Sequence, residues 1–302
     1  MDNNHRLLLI HPPVAKPCEP PAGIAKLCGA LSSRGVRVEV LDANLEGLLS
    51  LLRDPALPPP DTWTQRASRH LSGHLSSLKE WKTYHHVDRY KRAVSDLNRV
   101  LDQMALPLGV HLGLANYQHG DLSPTRSADL IRSADRPEDN PFYPYFRKRI
   151  VEFLQEKNPT LVGFSLNYLS QALSAFAMIG FLRKEVPGLP LVLGGGLVTS
   201  WMRRSGWTNP FKSLVDHLVA GPGEEPLLSI LGVGKRGEGQ MVGRDDAPDY
   251  DPFPLEDYLS PGVVLPYSAS SGCYWNKCSF CPERAEGNPY VPISSEKVVG
   301  DL

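Results

Sequence analysis

The chain has 302 residues, a formal net charge of -1 at pH 7, 41% hydrophobic and 22% charged residues. That balance is ordinary for a folded chain of about two domains, and bulk charge gives nucleic acid or an anionic membrane no reason to bind. No apolar run approaches the ~20 residues of a helical membrane span, and the polar start Met1-Asp2-Asn3-Asn4-His5-Arg6 has no signal-peptide pattern; the expectation is a cytoplasmic protein with no nucleic-acid and no membrane partner.

Leu7-Leu8-Leu9-Ile10 is a continuous apolar run, which predicts a strand buried on both faces. His11-Pro12-Pro13 ends it, because proline cannot continue a ladder. Ile24, Leu27, Cys28 and Leu31 recur at helical spacing, and Gly35 closes that helix. Val36 to Leu41 predicts a second strand, ending at Asp42-Ala43-Asn44. The unit is a right-handed β-α-β crossover.

Residues 45–141 break the alternation and read as a mostly helical and loop insertion. Within it, residues 88–104 carry an apolar stripe from Tyr90 to Met104, and 121–141, with Pro124, Pro137 and Pro141, read as loop. His70 and His74 lie four apart, but no companion acid or third His makes a metal motif, so they read as a solvated helix face. The alternation resumes with a helix over 142–155, a strand at Leu161–Ser165, a helix over 169–186 and a strand at Leu189–Leu193 stopped by Gly194-Gly195-Gly196. A short strand at Val215–Ala220 stops at Gly221-Pro222-Gly223, and Glu224 opens another helix. The fold class is therefore α/β, a doubly wound parallel sheet with helices on both faces, spanning residues 1–231.

Residues 232–260, rich in Gly, Asp and Pro, read as a linker. Val263 to Ala269 predicts a new strand, a short helix is expected near Ser294, and 261–302 reads as the start of a second domain. Between them lies Cys273-Tyr274-Trp275-Asn276-Lys277-Cys278-Ser279-Phe280-Cys281. Three of the five cysteines sit in these nine residues. An odd cysteine count without a secretion signal argues against a disulfide framework. Soft thiolates select iron–sulfur clusters, zinc or Cu(I). Three thiolates on a [4Fe–4S] cluster leave one iron open for a ligand. Structural zinc usually needs four ligands, and no Cys follows Cys281 and no His follows His217; zinc and bare thiols remain the alternatives.

The cysteine loop resembles that of radical S-adenosylmethionine (SAM) enzymes. These carry Cys-x3-Cys-x2-Cys after the first strand of a (β/α) barrel, with an aromatic residue before the last cysteine. Here Cys278 and Cys281 keep the x2 spacing and Phe280 the aromatic, while four residues separate Cys273 from Cys278. The resemblance implies that Cys273, Cys278 and Cys281 bind a [4Fe–4S] cluster, that SAM chelates the open iron, and that Phe280 lies near its adenine. It also implies a reductant such as flavodoxin or ferredoxin. Only 21 residues follow Cys281, so the expectation is an incomplete barrel.

The first domain resembles the Rossmann-like cobalamin-binding domain that precedes many radical SAM enzymes. The features are Ile10-His11-Pro12-Pro13, Ser165-Leu166-Asn167, Gly194-Gly195-Gly196 after a gap of 26 residues, and Gly221-Pro222-Gly223-Glu224. In open α/β sheets ligands bind at the carboxyl ends of the strands, glycines allow close approach, and the helix start at 221–224 can hold an anionic group. The resemblance implies cobalamin contacts at Pro12, Pro13, Ser165, Asn167, Gly194, Gly195, Gly196, Gly221, Gly223 and Glu224. The Asp-x-His-x-x-Gly loop of many such domains is absent, and Cys18 is one candidate for the lower face of cobalt. The implied activity is radical chemistry on a small molecule or peptide, with methyl transfer to an unactivated carbon as one form. The alternative is a cobalamin- and cluster-binding module, inactive by itself.

Overall fold

The computed structural model describes residues 5–53, 61–233, 246–279, 281 and 288–301. The elements in order are β1 (Arg6–Ile10), α1 (Ala22–Ser32), β2 (Arg37–Leu41), α2 (Ala43–Arg53), α3 (Thr62–Arg69), α4 (Leu71–Ser77), α5 (Trp81–Tyr84) and α6 (Val87–Ala105). Then come β3 (Val110–Leu112), β4 (Tyr117–His119), α7 (Ser127–Asp135), α8 (Tyr143–Lys157), β5 (Leu161–Ser165), α9 (Leu169–Glu185) and β6 (Leu191–Gly194). The chain continues through α10 (Gly196–Met202), β7 (His217–Leu218), α11 (Glu224–Ile230), β8 (Ser270–Ser271), β9 (Val291–Pro292) and α12 (Ser295–Asp301).

The main sheet is parallel and Rossmann-like, with strand order β2-β1-β5-β6-β7. The order reverses between β1 and β5, and such a switch point opens a crevice at the carboxyl ends. The apolar run of β1 is buried on both faces as its lack of alternation requires. Leu7 and Leu9 join a core with α1 and α11, while Leu8 and Ile10 join the opposite core with α6, α8 and α9. The insertion packs into that second core through Ala93, Leu97, Val100 and Leu101 of α6. Among the described residues no helix is long and apolar enough to cross a membrane.

Four expectations change. Residues 121–141 are not all loop: α7 lies inside them, with Leu130 and Ala134 buried. Its prolines flank the helix instead of interrupting it. Gly180 of α9 makes room, since a Cβ there would stand 1.9 Å from the Ala134 carbonyl oxygen. The insertion also contains an antiparallel hairpin, β3–β4. The segment 246–260 is not a free linker. Phe253, Tyr258 and Leu259 are buried, Asp249 N donates to Ala25 O, and Leu259 N donates to Pro17 O. Its apolar residues are few but all used, which a composition average hides. Finally, the barrel strand expected at 263–269 does not form. Val263, Val264 and Leu265 are exposed; with no parallel neighbour to pair with among the described residues, the ladder forms later, where β8 pairs antiparallel with β9.

Candidate functional site

A cleft of about 380 Å³ opens at the carboxyl edge of the sheet, on the face covered by α1 and α11. Leu9, Gly163, Val192 and Val219 form its floor. Gly163 gives the floor its depth: a Cβ there would reach 2.9 Å from Leu9 Cδ2. The predicted residues Ser165, Asn167, Gly194, Gly195, Gly196, Gly221, Gly223 and Glu224 all line the cleft. They come from the last residues of β5 and β6, the turns that follow them, and the turn from β7 into α11.

Asn167 builds the first turn. Its Nδ2 donates to Ser165 Oγ at 3.1 Å, and its Oδ1 accepts the Gly196 amide at 2.9 Å. Gly195 is at φ +108, and a Cβ there would fall 2.4 Å from the Leu166 carbonyl oxygen, so this position requires glycine. Thr199 builds the second turn: its hydroxyl donates to Gly195 O and accepts the Gly221 amide, both at 2.9 Å. The amides of Gly196 and Gly221 are thus spent on protein side chains. The first turn of α11 carries Glu224 and Glu225. At the expected anion site, 221–224, the helix start thus carries two acidic side chains, and Glu224 lines the cleft. Glu224 is only 5% exposed, and its ion pair with half-exposed Lys26 spans 3.8 Å. A buried carboxylate so weakly paired favours a ligand with N–H or O–H donors over a phosphate.

Pro12 and Pro13 are not part of this cleft. Both are buried, and the loop they begin is bound to α9. Gln171, fully buried, donates from Nε2 to Pro12 O at 2.8 Å and accepts the amides of Asn167 and Tyr168, each at 3.0 Å. Ser170 Oγ donates to Val14 O at 2.8 Å. These bonds tie the loop after β1 to the start of α9, and the open space lies on the other face, over β1, β5, β6 and β7. Cys18 lies outside the cleft lining; burial and neighbouring Glu19 raise its thiol above the ordinary range. His74 is half-buried against Asp96, with Nε2 and Oδ2 2.9 Å apart, so it is paired and not merely solvated.

Composition did not point to the far wall of the cleft. Gly23, Lys26 and Leu27 come from α1, and Ser268, Ser270, Ser271, Gly272 and Asn288 come from the stem of the cysteine loop. Gly272 is at φ +67, where a Cβ would meet Pro289 O at 2.4 Å, and so it holds the two sides of the stem together. Cys273, Cys278 and Cys281 are free thiols, each partly exposed. The Cys281 amide donates to Cys278 O at 3.4 Å. Among the described residues no three His, Cys, Asp or Glu side chains converge as a metal site. Phe280 lies outside the described residues.

The arrangement is a cleft at the sheet edge that is walled on one side by the stem, Ser268 to Gly272, of the loop that carries the three thiols. Comparison with protein-family models, with curated proteins and with solved structures gives no match for this chain.

Proposed function

We propose that the chain is the cofactor-binding part of a cobalamin-dependent radical SAM enzyme, with cobalamin at the sheet-edge cleft and a [4Fe–4S] cluster on Cys273, Cys278 and Cys281. One observation carries this reading. The stem of the cysteine loop, Ser268 to Gly272, forms a wall of the cleft, so a ligand in the cleft lies next to the only cysteine-rich loop of the sequence.

The cleft fits part of cobalamin. A volume of about 380 Å³ takes one neutral arm and not the macrocycle. Gly163, Gly194 and Gly195 keep the space free of side chains, and Glu224 offers an acceptor to a hydroxyl or amide. The three thiols fit a site-differentiated cluster in number and softness. They are not preformed around one centre, so loading must gather them. When bound, SAM on the reduced cluster supplies a 5′-deoxyadenosyl radical and methylcobalamin a methyl group. The protein's own part is to hold the two groups side by side, with Glu224 as a hydrogen-bond acceptor in the cleft.

Anaerobic reconstitution with iron, sulfide and hydroxocobalamin tests the reading. The expected result is about four irons per chain, an EPR signal that changes on adding SAM, and retained cobalamin absorbance. Stoichiometric zinc with no cobalamin retention would overturn it. Triple replacement Cys273→Ala, Cys278→Ala, Cys281→Ala should abolish the iron while leaving cobalamin retention intact.

A further inference from the structure

A second pocket lies in the insertion, away from the sheet-edge cleft. It has a volume of about 290 Å³ and sits between β4, the end of α7 and the turn at 137–140. Its floor is polar and buried. Asn140, 4% exposed, donates from Nδ2 to Tyr117 Oη and to Ser174 Oγ, both at 3.2 Å, and accepts the Phe142 amide at 3.0 Å. Tyr117 is 9% exposed. Its hydroxyl accepts from Asn140, and its own proton has no acceptor among the described residues. A buried hydroxyl proton left over costs free energy unless something else takes it.

The walls add three more donors. His119 Nδ1 accepts the amides of Asp121 at 3.0 Å and Leu122 at 3.2 Å. The neutral ring therefore carries its proton on Nε2, the nitrogen left for a ligand. Arg132 and Arg136 stand four residues apart at the end of α7 and line the same pocket. Neither guanidinium has an ion-pair partner within 4 Å among the described residues. Asp121 and Asp139 line the pocket too, and among the described residues they also lack a cationic partner at that distance. Two arginines and two aspartates, all four exposed, thus line one pocket without an ion pair between them within 4 Å. A bare anion would gain from the arginines and lose to the aspartates. A ligand that carries both charges engages both pairs.

We propose that this pocket binds one small zwitterion of the amino-acid class, its carboxylate on Tyr117, His119, Arg132 and Arg136 and its ammonium group on Asp121 and Asp139. The site gives the insertion a role of its own and does not depend on cobalamin or a cluster. The pocket volume admits a single amino acid and excludes a folded peptide.

Titration calorimetry of the full chain against the standard amino acids tests this, with acetate and inorganic phosphate as anion-only probes and methylammonium as a cation-only probe. At least one amino acid should bind at one site per chain, and its methyl ester and N-acetyl derivative should each bind at least about tenfold more weakly. The double variant Arg132→Gln, Arg136→Gln should lose at least about tenfold, and Tyr117→Phe about three- to tenfold. The ligand-side changes keep the test decisive if a variant fails to fold. Phosphate or acetate binding as tightly as the best amino acid, ester and N-acetyl forms binding undiminished, or no amino acid binding up to about 10 mM would each overturn the proposal.

Discussion

Tyr258 donates its hydroxyl proton to Asp42 Oδ2 at 2.6 Å, in a buried contact between residues 216 apart. Asp42 uses its other oxygen to accept the Leu45 amide at 2.9 Å, at the start of α2. One carboxylate therefore caps a helix at the end of β2 and fastens the segment 246–260 to the sheet. Burial and the Asp42 charge raise the Tyr258 hydroxyl far above the ordinary tyrosine range, so it remains a donor at all working pH values.

Tyr258→Phe keeps the ring and removes the donor. Asp42 Oδ2 then stays buried without that partner, which should cost about 1–3 kcal/mol. Urea unfolding measures it; a loss below about 0.3 kcal/mol would mean that water replaces the hydroxyl.

His11 should make stability fall in acid. Burial lowers its imidazole below the ordinary value of 6.5, and Asp42 offsets only part of that. The unfolded chain therefore takes up a proton at a higher pH than the folded chain does. Between the two pKa values the unfolded state holds more protons, so stability rises with pH there. The contribution is complete above about pH 6.5 and is lost as pH falls below it. Unfolding curves of the native chain and of His11→Gln, taken from about pH 7.5 down to pH 5, should converge as pH falls. Parallel curves would show that His11 does not titrate in this way.

Gly29→Ala should detach the 246–260 segment. A Cβ at Gly29 would stand 1.8 Å from the Ala247 carbonyl oxygen, so α1 and the segment cannot both hold their places. We expect faster proteolytic cleavage within 246–260 and a stability loss of about 1–3 kcal/mol. An unchanged cleavage pattern would contradict the packing.

The cysteines should separate by alkylation. Cys28 is fully buried, and burial with the Asp249 charge pushes its thiol up to about 12. Its thiolate fraction at about pH 8 is then on the order of 10⁻⁴. Cys273, Cys278 and Cys281 are partly exposed. Mass spectrometry of the native chain after brief iodoacetamide treatment should show adducts on those three well before Cys28, which should react only on unfolding. Equal rates at Cys28 would refute the burial.

Much of the sheet was legible in the residues themselves. The run Leu7–Ile10 reads as a two-face-buried strand because neither face is polar, and the glycine turns at 194–196 and 221–223 mark strand ends because a backbone stop is a local event. Five of the eight cleft residues lie in those turns, and the resemblance to cobalamin-binding domains added Ser165, Asn167 and Glu224. Pro12 and Pro13 looked equivalent to them, yet Gln171, four residues into the next loop and helix, ties that loop shut; a side-chain reach of 159 residues leaves no pattern in the sequence around it. The same limit hid α7, whose backbone contact with Gly180 depends on another helix, and the Tyr258–Asp42 bond. The three thiols and their spacing are written in nine consecutive residues, because donor chemistry belongs to residue type. That their stem walls the cleft beside Glu224 was decided only by the tertiary fold, since proximity between distant segments is set by which surfaces pack and not by any short-range periodicity.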